Sequence, residues 1–436
     1  MKDFAASSDP AVQAQLDRLA ALSLPQGRLG LDVVHELLRR LGNPQLHLPP
    51  VFHVAGTNGK GSTCAYLTAM LQAQGLVVHA ATKPHLVRYN ERIRIAGQLI
   101  ADAELAALLR EVLDAGESLG PSFFEVTTVA TFLAFARHPA DACVIEVGLG
   151  GRLDATNVLE HPAACAIATL GIDHEAFLLV PEDGAPSEPL VRIAFEKAGI
   201  ARAGSPMVTQ NYAEGMELEI QRLCGLAGAS LHMRGHDWWA DVMQDAIEYR
   251  DRHGGLTLPL PALPGRHQGD NAALAVAMLR HQDVVEVSPA AMAEGIRAAR
   301  WPARLQLLKP GPLVDHAGGR EVWLDGGHNT DAGLAIGRHF ANLHGGRRLH
   351  LVIGMLTNRY PQTIIDPLEG RLASVTAVPI EGSDSHGAHA YGGRAQWRGS
   401  VEEALAALPD DGLPVLIAGS LYLAGKVLAA NDEVPD

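Results

Sequence analysis

The chain has 436 residues, 47% of them hydrophobic and 19% charged, which suits a globular protein of two or three domains, each with its own core. A formal net charge of −14 argues against a nucleic-acid or anionic-membrane partner, because both demand a basic face. Four cysteines (Cys64, Cys143, Cys165, Cys224) without C-x-x-C spacing, no signal-like N-terminus and no run of about 18 apolar residues set the expectation of a soluble, cytoplasmic protein in a reducing compartment.

In chain order, apolar residues at helical spacing over 12–41 predict two helices, broken around Pro25 to Gly30 and joined through RLGLD. Val51 and Val54 then mark a short buried strand, followed by AGTNGKGST and a helix running to Met70. Strand, glycine loop and helix form the context in which a phosphate loop works. Gly56, Gly59 and Gly61 let the backbone curl its N–H groups inward, and the helix N-terminus adds the positive end of a dipole. Lys60 supplies a mobile cation, and Ser62 and Thr63 supply hydroxyls for phosphate or magnesium, although a glycine separates the lysine from the serine.

A second strand at 77–81 leads into TKPHLVRYNERIRIAGQLI. There Arg88, Asn90, Glu91, Arg92 and Arg94 crowd beside His85, as a strand-end loop carrying ligand contacts would. Helices are expected over 101–119 and 123–135. The next buried strand, 142–147, ends in Glu146, a carboxylate that needs a partner in an apolar setting; magnesium on a nucleotide is the obvious one. Gly-rich GLGGRLDATN follows, where Arg152 and Asp154 offer opposite charges to a polar ligand. A strand over 163–170 precedes Asp173 and His174. VRIAFEKAGI reads as a helix capped by Gly199, with Lys197 in its last turn, where a cation also suits the helix dipole. Beyond it lie mixed elements, a β-rich stretch near 231–260, helices at 271–279 and 289–299, and a break at Pro302 that reads as a hinge. Strands at 321–325, 349–352, 373–378 and 415–418, separated by helices, predict a second α/β domain of about 130 residues.

These residues together resemble the folylpolyglutamate synthase and dihydrofolate synthase family, a branch of the Mur-type amide ligases. The likeness rests on AGTNGKGST, PHLVRYNERI, FFEVTT, EVGLGGRLDATN, DH followed by EKAGI, GRHQGDNAAL, WPARLQ, LDGGHN and AGSLY, in that order over nearly the whole chain. It implies an α/β fold: a P-loop ATPase-type parallel-sheet domain over 1–299 and a smaller Rossmann-like glutamate ligase domain over 300–436, with ATP between them. It also implies a monomeric, ATP- and Mg²⁺-dependent ligase of folate biosynthesis and one-carbon metabolism that joins L-glutamate to dihydropteroate or to reduced folates. By the same resemblance ATP contacts fall on Asn58, Gly59, Lys60, Gly61, Ser62, Asn271, Arg304, Asp325 and His328. Magnesium falls on Glu146, His174 and Lys197 as its carbamate, and the pterin on Leu29, Gly30, Phe124, Asp154 and Ala155. Lys60, Lys197 and His174 carry the catalytic roles.

The expected chemistry is an acyl phosphate made from ATP and then attacked by the glutamate amine, with domain closure about Pro302 keeping water out. Three departures stand out. Lys83 occupies the place of a metal-ligating serine, Thr357, Asn358 and Arg359 replace an acidic motif, and the stretch between His174 and Lys197 is several residues longer than the family's. A Mur-type ligase with another acid and amine, and a weakened nucleotide-binding homologue, therefore stay open as alternatives.

Overall fold

A computed structural model describes residues 6–22, 30–342, 346–393 and 395–435. The chain divides into two compact units, one made of Met1–Pro84, Tyr89–Ala262 and Gln268–Ala299, the other of His85–Arg88, Leu263–His267 and Arg300–Asp436.

The first unit is built on eight strands: β1 (Val51–Ala55), β2 (Val78–Ala81), β3 (Ile93–Ile95), β4 (Gln98–Leu99), β5 (Ala142–Glu146), β6 (Ala164–Ile167), β7 (Pro206–Thr209) and β8 (Ser230–Met233). They pair in the order β4-β3-β2-β5-β1-β6-β7-β8. From β2 to β8 every pairing is parallel, and β1, β5 and β6 are buried along their whole length. This is why they read as continuous apolar runs rather than alternating ones. One face carries a core of Val34, Leu109, Val126 and Phe132; the other carries Ile193, Ile220, Met207 and Ile167.

The segment read as a charged ligand loop is in part an edge hairpin: β3 and β4 run antiparallel at the sheet margin, with Ala81 opposite Ile93 and Arg94 opposite Leu99. Three residues of strand followed by a tight turn leave no detectable period in sequence. A three-stranded antiparallel meander, β9 (Trp238–Val242), β10 (Ala246–Asp251) and β11 (Gly254–Pro259), accounts for most of the β-rich stretch.

The second unit holds β12 (Gln306–Leu307), β13 (Val322–Leu324), β14 (Leu349–Ile353), β15 (Leu372–Ala377), β16 (Ala395–Trp397) and β17 (Val415–Ala418), ordered β12-β13-β17-β14-β15-β16. All of its pairings are parallel except β12 with β13. The two short edge strands were not legible beforehand. No helix among the described residues is long and apolar enough to cross a membrane.

The Phe123–Arg137 helix shows how local sequence sets a site element. Ser122 Oγ accepts from the Glu125 amide at 3.3 Å, and Glu125 Oε2 accepts from the Ser122 amide at 2.7 Å, a reciprocal capping box that fixes the first turn and with it Phe123 and Phe124. Ser122→Ala should cost about 1 kcal/mol, read as a lower urea midpoint at unchanged slope.

Candidate active site

The pairing of β1 with β5 and β6 puts three loops side by side. Val54 lies opposite Glu146 and Ala166, so the chain leaves the three strands at nearly the same level. A cavity forms there, lined by Gly56, Thr57 and Lys60 from the first loop, Val147 to Gly150 from the second, Asp173 and His174 from the third, and Leu178 and Lys197 from flanking helices.

The first loop is the phosphate loop in shape. Gly59 caps the Lys60–Ala73 helix at φ +84°, a left-handed conformation that favours glycine. Asn58 N donates to the Thr169 carbonyl at 3.2 Å, tying the loop to the strand-end of β6. Lys60 Nζ donates to the carbonyls of Gly56 (2.8 Å) and Thr57 (3.2 Å). Gly61, Ser62 and Thr63 lie in the first turn of the helix and are buried, and like Asn58 and Gly59 they are not among the residues that line the cavity. Asn271 arrives from the Arg266–Arg280 helix; a Cβ on Gly59 would stand 2.4 Å from its Oδ1. Its Nδ2 donates to Oε1 of the fully buried Gln268, in the same GRHQGDNAAL motif, at 3.3 Å.

Glu146 ends β5, 3% exposed, and its Oε2 accepts from the Lys83 amide at 2.9 Å. His174 sits at φ +53° with its amide on Asp173 Oδ1 at 2.6 Å. Among the described residues no group of three His, Cys, Asp or Glu side chains could hold a metal ion alone. The donor set still fits Mg²⁺, which takes one or two carboxylates and completes its shell with phosphate oxygens and water. Glu146 offers that hard oxygen beside the phosphate loop.

Lys197 lies in the last turn of the Pro189–Ala198 helix, yet it does more there than complement a dipole. It is 4% exposed, and Nζ donates to the Gly56 carbonyl at 3.0 Å. Burial, helped by the Lys60 charge, lowers its pKa to about 7.

Arg152 does not offer its charge to a ligand, as the sequence suggested. Its guanidinium pairs with Glu182 (2.7 Å) and Glu196 (2.9 Å), and Arg192 pairs with the same two carboxylates. Glu182 belongs to the stretch between His174 and Lys197, which is thereby tied down by a four-membered ion cluster. Asp154 does face the site region. Burial would raise its pKa, but Lys83 and hydrogen bonds from Thr156 and Leu149 outweigh that, leaving it below the usual carboxylate value. Behind it His53, whose pKa burial drives down to about 3, bonds Thr156 Oγ1 at 2.9 Å. Ala155 is buried beside Asp154, Phe124 is half-buried with its ring edge-on to Phe123, and Gly30 is exposed; Leu29 lies outside the described residues.

Three remaining residues gather within the second unit. Asp325 accepts the amides of Leu305 (2.8 Å) and Gly327 (2.6 Å), His328 Nδ1 bonds the Gly326 carbonyl, and Arg304 Nη1 would lie 3.1 Å from a Cβ on Gly326. Thr357, Asn358 and Arg359 form a turn after β14, held by Thr357 Oγ1 on Asp384 Oδ2 at 2.7 Å.

No protein-family model matches the chain. It is 33% identical over 356 residues to the dihydrofolate synthase/folylpolyglutamate synthase of Bacillus subtilis, covering 78% of each chain. Its fold matches Escherichia coli FolC in complex with DHPP and ADP at a TM-score of 0.85, with 31% identity and 98% of both chains covered. A bifunctional folylpolyglutamate synthase/dihydrofolate synthase with Mn, AMPPNP and L-glutamate bound matches at 0.83 and 29% identity, over 97% of this chain and 99% of that one.

Gly151 sets how closely the second loop approaches Lys197. A Cβ there would lie 2.7 Å from the Glu196 carbonyl oxygen and 3.1 Å from Lys197 Cα, both backbone atoms that cannot swing aside. Gly151→Ala should destabilise the protein by about 1–3 kcal/mol and weaken ADP binding, read by urea denaturation and calorimetry.

Proposed function

We propose, since the chain belongs to the folylpolyglutamate synthase and dihydrofolate synthase family, that it is an ATP-dependent ligase that joins L-glutamate to dihydropteroate or a reduced folate through an acyl phosphate. The observation that carries this reading is the meeting of the phosphate loop, the loop that leaves the buried Glu146, and the buried Lys197 around one cavity. A carboxylate is a poor acyl donor, so its oxygen first attacks the γ-phosphorus of ATP and ADP leaves. The glutamate nitrogen then bonds to the acyl carbon, inorganic phosphate departs with the bonding pair, and the nitrogen releases its proton.

Within this scheme the loop amides and Lys60 bind and orient the triphosphate, and Asn271, packed beside Gly59, is a further nucleotide contact. Glu146 and His174, with Lys197 as its carbamate, would hold Mg²⁺, which when bound supplies Lewis-acid stabilisation of the phosphoryl oxygens. Asp154, Ala155 and Phe124 are assigned to the pterin, and Arg304, Asp325 and His328 to the nucleotide. The same reading makes the protein a cytoplasmic monomer without nucleic-acid or membrane partners, in keeping with its net charge of −14 and its buried free thiols.

Phosphate release measured with dihydropteroate or tetrahydrofolate, with and without glutamate, tests the function. Release should require a pterin acid and rise with glutamate; release indifferent to both pterins would rule it out.

Lys197 yields a second prediction. Carbamylation needs the neutral amine, and a pKa lowered to about 7 means that this form grows as pH rises through 7, where an ordinary lysine stays charged up to 10.5. Carbon-13 NMR of the protein in labelled bicarbonate should show a carbamate signal that strengthens from pH 6 to pH 8 and is missing in Lys197→Ala. That variant should lose roughly 10²-fold in turnover while still binding ADP. Wild-type turnover in it would remove Lys197 from the mechanism.

A further inference from the structure

Three lysines surround the cavity region, and two of them are hydrogen-bonded into the protein: Lys60 to the carbonyls of Gly56 and Thr57, and Lys197 to that of Gly56. Lys83 is different. Its backbone amide is pinned to Glu146 at 2.9 Å, which plants the residue at the end of β5. From there its side chain runs alongside Gly148, one of the cavity-lining residues. A Cβ at Gly148 would be 3.3 Å from Lys83 Cδ and 3.5 Å from Nζ. Among the described residues the ammonium makes no hydrogen bond and no ion pair.

The carboxylate with the largest electrostatic effect on it, Asp154, is hydrogen-bonded to other donors. Its Oδ2 accepts the Leu149 amide (2.8 Å), and its Oδ1 accepts both the amide and the hydroxyl of Thr156 (2.9 and 2.6 Å). Because the Thr156 hydroxyl spends its single proton on Asp154, His53 must donate Nε2–H to Thr156, which closes that chain without Lys83. A lysine ammonium has three donors and no acceptor, and neither neighbouring carboxylate stands within ion-pair distance, so what it lacks is an anionic oxygen in direct contact. Around it are Glu146 and Asp154, both with donors from the backbone, and Arg92, which adds to the local positive charge.

We propose that Lys83 is an oxyanion-binding residue of this site, its ammonium taking an anionic oxygen of the phosphoryl group or of the acid carboxylate that meets it. This assignment rests on the ligase reading above. It makes part of the charge neutralisation at the reaction centre a property of the polypeptide, so the protein should hold its anionic ligands without a divalent ion better than a chain lacking this cation.

The test compares wild type, Lys83→Met and Lys83→Arg by calorimetry, in two arms. One titrates AMPPNP in EDTA and again in saturating magnesium; the other titrates dihydropteroate without nucleotide. Lys83→Met should weaken one arm about tenfold in EDTA, with Lys83→Arg keeping most of the affinity, and the AMPPNP difference should shrink to about twofold in magnesium. Loss in the AMPPNP arm assigns Lys83 to the phosphoryl group, and loss in the acid arm to the carboxylate. Unchanged affinity in both arms, in a Lys83→Met variant of wild-type melting temperature, overturns the proposal, and so does equal loss in Lys83→Arg when that variant is as stable as wild type. Wild type that binds AMPPNP and dihydropteroate but forms no ADP from ATP would defeat the ligase reading instead, since the binding arms report on Lys83 without turnover.

Discussion

Strand β1 is bonded on both sides by parallel partners, β5 and β6, with Val54 level with Glu146 on one side and Ala166 on the other. Parallel strands in register must end on the same side of the sheet, so the three loops that leave them have nowhere to go but beside one another. The phosphate loop, the Glu146 loop and the Asp173–His174 loop are thus assembled by backbone hydrogen bonds between the strands, not by the side chains that do chemistry. The cost is that all three strands are buried on both faces, which obliges every polar group among them to find a partner.

That obligation shapes the electrostatics of the site. Glu146, Asp154, Asp173 and Lys197 are each less than a tenth exposed, in a protein whose overall charge is strongly negative. Buried charges of this density are tolerated only when paired or hydrogen-bonded. Asp154 is held by two amides and a hydroxyl, and Glu146 receives an amide. Lys197 rests on a carbonyl and yields in pKa. Arg152 and Arg192 are consumed by Glu182 and Glu196. An acidic protein thereby keeps Lys60 and Lys83 among buried carboxylates that are already hydrogen-bonded, which leaves cations available to a polyanionic ligand without making the surface basic.

The candidate site was legible to different depths. The phosphate loop and Glu146 could be found because each depends on a short contiguous pattern: glycines that permit unusual backbone angles, and a carboxylate out of place at the end of an apolar strand. Asn271 was supplied by family resemblance alone, since nothing in residues 266–280 says that this helix touches Gly59. His53 and the Glu182 cluster carried no signal at all, and the motifs that contain Gln268, Asp154 and Thr156 did not say which partners these side chains take. Their partners stand 103 residues apart in the case of His53 and Thr156, and 202 in that of Tyr66 and Gln268. Arg152 was misjudged for the same reason: a charge in a glycine-rich loop looks available until the carboxylates that claim it are seen.

By itself, the sequence determined the alternation of buried strands and helices, the phosphate loop and the order of motifs that marks the family. These are properties of local spacing, in which a residue's neighbours in the chain decide its backbone and its burial. Only the tertiary structure decided which charges are spent and which are open. Lys60, Lys83, Arg152 and Lys197 are alike as basic residues near motifs, yet one bonds the phosphate loop, one lies beside Gly148 without an ion pair, one is locked in a salt-bridge cluster and one is buried with a pKa near 7. That difference comes from dielectric surroundings and from partners brought in by distant strands, and both depend on distance in space, which chain position does not encode.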